Sequence, residues 1–542
     1  MPLCLSAGIC SGLACGPALA QATAPAVAQS PGAQMAEKKD SAKAAEGAAA
    51  HPTSLDILEF YIEGNSVLDE ATIDDAVEPF LGPERTPEDV DKARAALEGV
   101  YRERGYKTVA VTIPRQNVRE GVVHLQVVEG KVEHLNVVNS KYHSIDEIKE
   151  QTPSLAEGTV PNFNEVQKDL VGLNQDADRR VTPTLKAGAA PGTVDMDLVV
   201  DDHLPLHGMA ELNNRKSLGT SELRTTGTVS YDNLWQRGHS LSVTYQTAPE
   251  RPSDARVLFG SYLAHFGESP FSLLLNGLKS DSNVATLGGT DVIGKGTSAG
   301  IHGVLQLPGT VEWSPLLTFG VDYKHFRSVT ALGGSSIDTP VEYYPFSIDF
   351  SALHRSPSAV TQGDLSLTLV PRGLGSNMQV QDNNRFRNRQ IWYLRENLSH
   401  TQDLPLDMQI MARLAGQLTD EPLISNEQFS AGGMDTVRGY LEAETLGDYG
   451  FNGTLELRSH AYAAPPLQQF QLFAFTDGAK LETRSPLPGV RRQYSLLSMG
   501  VGVNIKLSSY LNGVLLWADP FLDGVATQDW RSRLLFRVWT NF

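Results

Sequence analysis

The sequence predicts an all-β, sixteen-stranded transmembrane antiparallel barrel preceded by two small α/β modules, each with the order β-α-α-β-β. Three observations carry that prediction. After Leu206 helical periodicity gives way to apolar/polar alternation at period two. Before it, one run of strands and helices occurs twice. The charge is also unevenly spread: the 542 residues carry 45 Lys+Arg against 63 Asp+Glu, net −18, of which residues 53–205 hold −14 and residues 206–542 only −4. An acidic chain lacks the basic footprint of a nucleic-acid binder. No run of about 18 apolar residues follows the N-terminus, which excludes a helical membrane protein but not a barrel, whose strands look polar on average.

Residues 1–20 are uncharged, rich in Leu, Ala and Gly, and end Ala18-Leu19-Ala20, the pattern of a signal peptide with a small-residue cleavage site, although the usual basic start is missing. All three cysteines (Cys4, Cys10, Cys15) fall inside it, so the exported chain would have no thiol for zinc, disulfide or nucleophilic chemistry. Residues 21–52 read as a linker, with Met35–Ala50 as an alternative short plug helix.

The first module, residues 53–130, starts with a strand over Leu55–Glu63 ending in Gly64-Asn65. A short helix over Glu70–Phe80 follows, then a longer one over Pro87–Arg104. Thr86-Pro87-Glu88-Asp89 is a helix start signal and Gly105 a stop. Strands over Thr108–Ile113 and Val122–Val128, parted by a polar turn at Arg119–Gly121, complete it. The second module, residues 131–205, repeats this with strands Val132–Val138, Val181–Ala187 and Asp195–Val200 and helices Ile145–Gln151 and Asn164–Asp176. The order, the Gly-Asn after the first strand and Glu129-Gly130 after the last resemble the POTRA domain. Neither module shows a phosphate loop, a metal-ligand pattern or a G-x-S-x-G, and no cofactor, metal or catalytic residue is expected.

Within residues 206–542, Leu241, Val243 and Tyr245 oppose Ser242, Thr244 and Gln246, and Leu497, Met499, Val501 and Val503 oppose Ser498, Gly500, Gly502 and Asn504. Such strands suit a wall between lipid and an aqueous lumen. Connections alternate in length. Gly267–Pro270, Thr401–Pro405 and Ser508–Ser509 are short, whereas Ser280–Gly296, Ser328–Glu342, Arg372–Arg389 and Asp420–Tyr449 are long. Short periplasmic turns and long external loops leave the N-terminal modules in the periplasm. His265, His302 and His325 lack partners at useful spacing and read as wall or loop residues. The last strand ends in Phe542, which resembles the outer-membrane assembly signal.

The sixth external loop, residues 420–449, contains Val437-Arg438-Gly439-Tyr440. The strand after it carries Gly453-Thr454-Leu455-Glu456-Leu457-Arg458, and the next one Phe475-Thr476-Asp477-Gly478-Ala479. V-R-G-[FY], G-x-x-E-x-R and a version of F-x-D-x-G with its glycine one place early resemble the two-partner-secretion branch of the outer-membrane protein transporters. These are the TpsB or hemolysin secretion/activation proteins. The resemblance implies that the loop folds back into the barrel and that Arg438 meets Asp477, with Phe475, Glu456 and Arg458 facing the lumen. It also implies an unfolded secreted exoprotein as partner, captured by the periplasmic modules. Outer-membrane lipid and lipopolysaccharide would surround the barrel, and the barrel assembly machinery would insert it. An insertase or a solute porin is the alternative. In a wet lumen the Arg438–Asp477 pair would contribute only about 1–3 kcal/mol, biasing a movable loop.

Overall fold

The computed structural model describes residues 55–542, apart from 117, 119, 175, 268, 283, 288–289, 333–334, 372–373, 375–389 and 487–490. The expected signal peptide and the linker or plug helix lie outside the described residues, as do most of the Arg372–Arg389 loop and part of the Arg119–Gly121 turn. The chain forms two compact units that divide between Leu204 and Pro205.

In the N-terminal unit each module is a three-stranded sheet with helices against it. In the first, Val122–Glu129 lies between Glu59–Glu63, to which it is parallel, and Val109–Thr112, to which it is antiparallel. The parallel pair requires a crossover, supplied by helices Glu70–Val77 and Pro87–Glu103. Val90, Ala93, Leu97 and Tyr101 form the buried stripe of the longer helix and pack on Val109, Val123 and Leu125. That helix starts with a reciprocal cap: Thr86 N–H donates to Asp89 Oδ2 at 3.0 Å, and the hydrogen bonds from Thr86 and Lys92 hold the Asp89 carboxyl down at about 2. The strand expected over Leu55–Glu63 is broken at Leu58. Its first part, Leu55–Ile57, pairs instead with Gly82–Arg85, a two-stranded ribbon that local pattern did not reveal because Pro83 argues against a strand.

The second module repeats the layout, with Thr193–Asp202 central between Lys131–Val138 and Arg179–Ala187, and helices Ile145–Glu150 and Phe163–Leu173. The repeat extends to one device. At the end of each central strand a carboxylate caps the turn that follows the first strand. Glu129 accepts the N–H groups of Ser66 (2.6 Å) and Val67 (3.3 Å); Asp202 accepts those of Lys141 (2.9 Å), Tyr142 (2.7 Å) and His143 (3.2 Å). Both turns begin with a left-handed residue, Gly64 at φ +93° and Asn139 at φ +69°. A Cβ at Gly64 would collide with the Val127 carbonyl, which accounts for glycine in the first copy.

The C-terminal unit is a closed antiparallel barrel running from Leu206–Asn213 to Arg533–Asn541, which pair with each other from Arg537↔Asn213 to Asn541↔Met209. Ser335–Tyr343 and Phe346–Ser356 both pair with Trp313–Leu332 and are two lengths of the eighth strand, so the wall has the expected sixteen. Consequently Ser328–Glu342 is not the open loop the sequence suggested but a hairpin that prolongs strands seven and eight beyond the rest of the wall. The Ser280–Gly296 connection holds its own hairpin, Val284–Leu287 with Thr290–Ile293. Alternation sorts side chains as a barrel requires: Leu241, Val243, Tyr245, Leu455, Leu457, Met499 and Val501 are exposed on the outer face, while Gln246, Glu456 and Ser498 are buried inside.

Candidate functional site

Loop six joins the eleventh strand, Met408–Leu418, to the twelfth, Tyr449–Ala464. Midway it forms a ribbon, Phe429–Ala431 against Thr445–Gly447, and between those strands the chain doubles back through Gly432 and Gly433, both at φ +109°. A side chain at Gly433 would strike the Glu442 carboxylate as well as strain the backbone. This turn presents Val437 to Tyr440 to the lumen side of strands twelve to fourteen. Val437 and Tyr440 are buried with Ala431, Ala479, Leu481 and Leu496.

Arg438 sits at the centre. Its Nε and Nη2 donate to Asp477 Oδ2 and Oδ1 at 2.7 and 2.8 Å, its Nη1 to Glu456 Oε2 at 2.5 Å, and its backbone N–H to Asp477 Oδ2 at 3.0 Å. The guanidinium lies over the Phe475 ring, 3.4 Å from the centroid. Arg458 Nε donates to Glu456 Oε1 at 2.8 Å, so two arginines and two carboxylates form a neutral set. Strand pairing explains the meeting: Thr454 lies opposite Asp477 and Glu456 opposite Phe475, which brings the two carboxylates to one inner patch. The Arg438, Asp477 and Glu456 side chains are 9%, 0% and 5% exposed. This corrects the expectation of a weak pair in a wet lumen. Removing one partner from a buried, hydrogen-bonded pair costs about 3–5 kcal/mol.

The neighbours of Arg438 fix the turn. Gly439 is left-handed at φ +97°. The Tyr440 hydroxyl donates to the Leu522 carbonyl at 2.7 Å and lies 3.0 Å from that of Leu497, tying the loop to the last external loop and to the fourteenth strand. A Cβ at Gly478 would meet only ordinary contacts with Leu496 and Leu497, whereas Ala479 packs in the cluster with Val437 and Tyr440; the shifted glycine therefore does not prevent close packing there. Phe542 lies elsewhere, at the seam. Its N–H and C=O exchange hydrogen bonds with Gly208 at 3.0 and 2.9 Å, and its ring covers Gly208 where a side chain would otherwise stand.

Sequence reasoning missed a second set of loop contacts. Arg215, just past the first strand, donates from Nη2 to Asp435 at 2.6 Å and from Nε to Glu442 at 3.0 Å, and Glu442 N–H donates to the Lys216 carbonyl at 3.0 Å. Glu444 accepts the N–H groups of Ala526 and Thr527 at 3.0 and 2.8 Å. A signal was present: residues 420–448 hold seven acids and one base, Arg438, and an acidic loop folded inward needs cations or N–H donors from its surroundings. Of the histidines, His302 Nε2 is 3.2 Å from Asp322 and His265 Nδ1 is 2.9 Å from Ser272 Oγ, both partners from the next strand. In the N-terminal unit Glu133, His134 and Asp195 converge, but Glu133 already accepts from Ala190 N–H at 3.1 Å and Thr193 Oγ1 at 2.5 Å.

Residues 55–130 match the POTRA domain of ShlB type, and residues 192–505 match the haemolysin secretion/activation protein family ShlB/FhaC/HecB. The outer membrane transporter CdiB of Dickeya dadantii (strain 3937) is 22% identical over 425 residues, 73% of this chain and 70% of its own length. The structure of CdiB from Escherichia coli superposes with a TM-score of 0.60 at 18% identity, over 92% of this chain and 93% of its own. BamA from Haemophilus ducreyi lacking POTRA domains 1-3 superposes with a TM-score of 0.55 at 14% identity, over 91% and 100%. Superposition at such identities shows a shared fold and does not separate CdiB from BamA; the family match, over more than half the chain, does. On that match the chain belongs to the ShlB/FhaC/HecB family, outer-membrane β-barrel transporters of two-partner secretion whose POTRA domains lie in the periplasm.

Proposed function

We propose that the two N-terminal modules capture an unfolded secreted exoprotein of the TpsA type and pass it through the barrel to the cell surface, with loop six held in register by Arg438. The observation that supports this most is the buried Arg438–Asp477–Glu456 set, because it fastens a long external loop inside the very lumen the polypeptide has to use. Each module offers sheet-edge strands, Glu59–Glu63 and Val109–Thr112 in one, Lys131–Val138 and Arg179–Ala187 in the other, to which an extended segment can add. The acidic surface of residues 53–205 keeps the modules off anionic head groups and steers basic cargo segments. Folding of the cargo outside supplies the drive, and the protein itself performs no catalysis. Residues 1–20 direct export, Phe542 serves recognition by the barrel assembly machinery, and the outer face meets lipid and lipopolysaccharide.

The test is Arg438→Ala in a strain expressing the chain with its exoprotein. Surface cargo falls at least about tenfold while the barrel still shows heat-modifiable mobility, as expected for losing about 3 kcal/mol of loop anchoring. Undiminished secretion would sink the proposal. Loss of other outer-membrane proteins on deletion of the chain would favour an insertase, and unchanged cargo export on deletion a solute porin.

A further inference from the structure

Loop six is fastened a third time, well before Arg438. Its leading limb carries the single turn Ser425–Glu427, and Glu427 is 1% exposed. Glu427 Oε1 accepts from Lys324 Nζ at 2.7 Å and from the Tyr343 hydroxyl at 2.6 Å, and Oε2 accepts from the Tyr393 hydroxyl at 2.6 Å. Its carbonyl accepts from Arg395 Nη2 at 3.0 Å and Gln417 Nε2 at 3.2 Å. Beside it Leu423 and Ile424 pack with Val341, Val370 and Ile391. The side-chain donors come from strands seven, eight, ten and eleven, whereas the partners of Arg438 come from strands twelve and thirteen. The two sets share no residue. Tyr343 lies opposite Lys324 at the base of the hairpin that prolongs strands seven and eight, so these two donors project from one rung of the wall.

We propose that Glu427 is an independent positioning residue of loop six, holding the leading limb while Arg438 and Arg215 hold the turn, so that releasing the turn alone leaves the limb in place. A carboxylate answering one ammonium and two phenols is not replaceable by an amide of the same shape, because Glu427→Gln leaves Lys324 without a buried counter-charge. Loss of Arg438 alone then frees only the turn. The inference deepens the secretion reading, yet its test needs no cargo, so a failure of either can be told from a failure of the other.

The test uses the full chain in proteoliposomes with Cys4, Cys10 and Cys15 replaced by serine and a single new cysteine at Ser425 or Thr436. The measurement is the rate of labelling by a membrane-impermeant maleimide. Glu427→Gln speeds labelling at position 425 about tenfold and at 436 less than about twofold; Arg438→Ala does the reverse; the double variant speeds both. Wild-type labelling at 425 in Glu427→Gln, or release of both positions by Arg438→Ala alone, overturns the proposal. If Glu427→Gln gives no heat-modifiable barrel, the pair Tyr343→Phe and Tyr393→Phe decides. It speeds labelling at 425 about threefold, and a wild-type rate there overturns the proposal.

Discussion

The two units use carboxylates in opposite ways. In the N-terminal unit most acids face water, and two of the buried ones, Glu129 and Asp202, each cap backbone N–H groups of a turn in their own module, while buried Asp197 accepts from Lys186 of the neighbouring strand. In the barrel three acids of loop six are answered by side-chain cations from far away in the sequence: Glu427 by Lys324, Asp435 and Glu442 by Arg215. The first arrangement sets a local turn and leaves net charge free to act at a distance. The second joins segments far apart in sequence, and its cost of breakage is that of a stranded buried charge. Similar residues therefore serve solubility in one unit and geometry in the other.

Breaking the comparison at its strongest point means neutralising the barrel set. Asp477→Asn leaves Arg438 without its bidentate acceptor, and an effect of about 3–5 kcal/mol is expected on retention of the turn, read as faster proteolysis within residues 432–442 on intact cells. Next in size, Arg215→Ala strands Asp435 and Glu442 at the end of the first strand. It lowers the temperature at which the barrel loses its heat-modifiable form, by an amount equivalent to about 2–3 kcal/mol. In the N-terminal unit, Asp202→Asn weakens the cap on residues 141–143 by about 1–2 kcal/mol, measurable as lost amide-exchange protection there.

The same cap has a pH signature. Burial pushes the Asp202 carboxyl up, but the N–H groups of Tyr142 and Lys141 and the His143 side chain outweigh it, and the group lies below its ordinary value; Asp176, on the other side of His143, is likewise lowered. A depressed carboxyl contributes stability that is complete above the unfolded value, about pH 4, and disappears as pH falls through the folded one. Amide protection in the second module should drop on acidification below about pH 4, and Asp202→Asn should flatten that drop. The smallest effect belongs to exposed pairs: Lys92→Ala, which breaks Lys92–Asp89 but leaves the Thr86–Asp89 cap in place, should change neither stability nor secretion measurably.

Much of this was readable in the chain because it depends on local pattern. Period-two alternation predicted strands through Leu241–Gln246 and Leu497–Asn504, which lie within His239–Thr247 and Gln493–Lys506. Thr86 to Asp89 marked the start of the long helix through capping chemistry that needs only four residues. What stayed hidden depends on partners chosen at long range. The ribbon of Leu55–Ile57 with Gly82–Arg85 runs against the local signal of Pro83. The hairpin over residues 328–342 looks like any polar loop until its pairing is seen. The motif around Arg438 could be picked out, but its burial could not, since alternation says which face a residue takes and not whether water reaches it. Arg215 carries no local pattern, and Glu427 is marked only as one of the seven acids of loop six.

The most direct test of the central claim is a double-mutant cycle on Arg438 and Asp477, with cargo secretion as readout and heat-modifiable mobility as the control for a folded barrel. If the buried pair positions loop six for transport, Arg438→Ala, Asp477→Ala and the double variant lose secretion to about the same extent, because either change removes the shared interaction. Losses that simply multiply would mean the two residues act separately and would contradict the account.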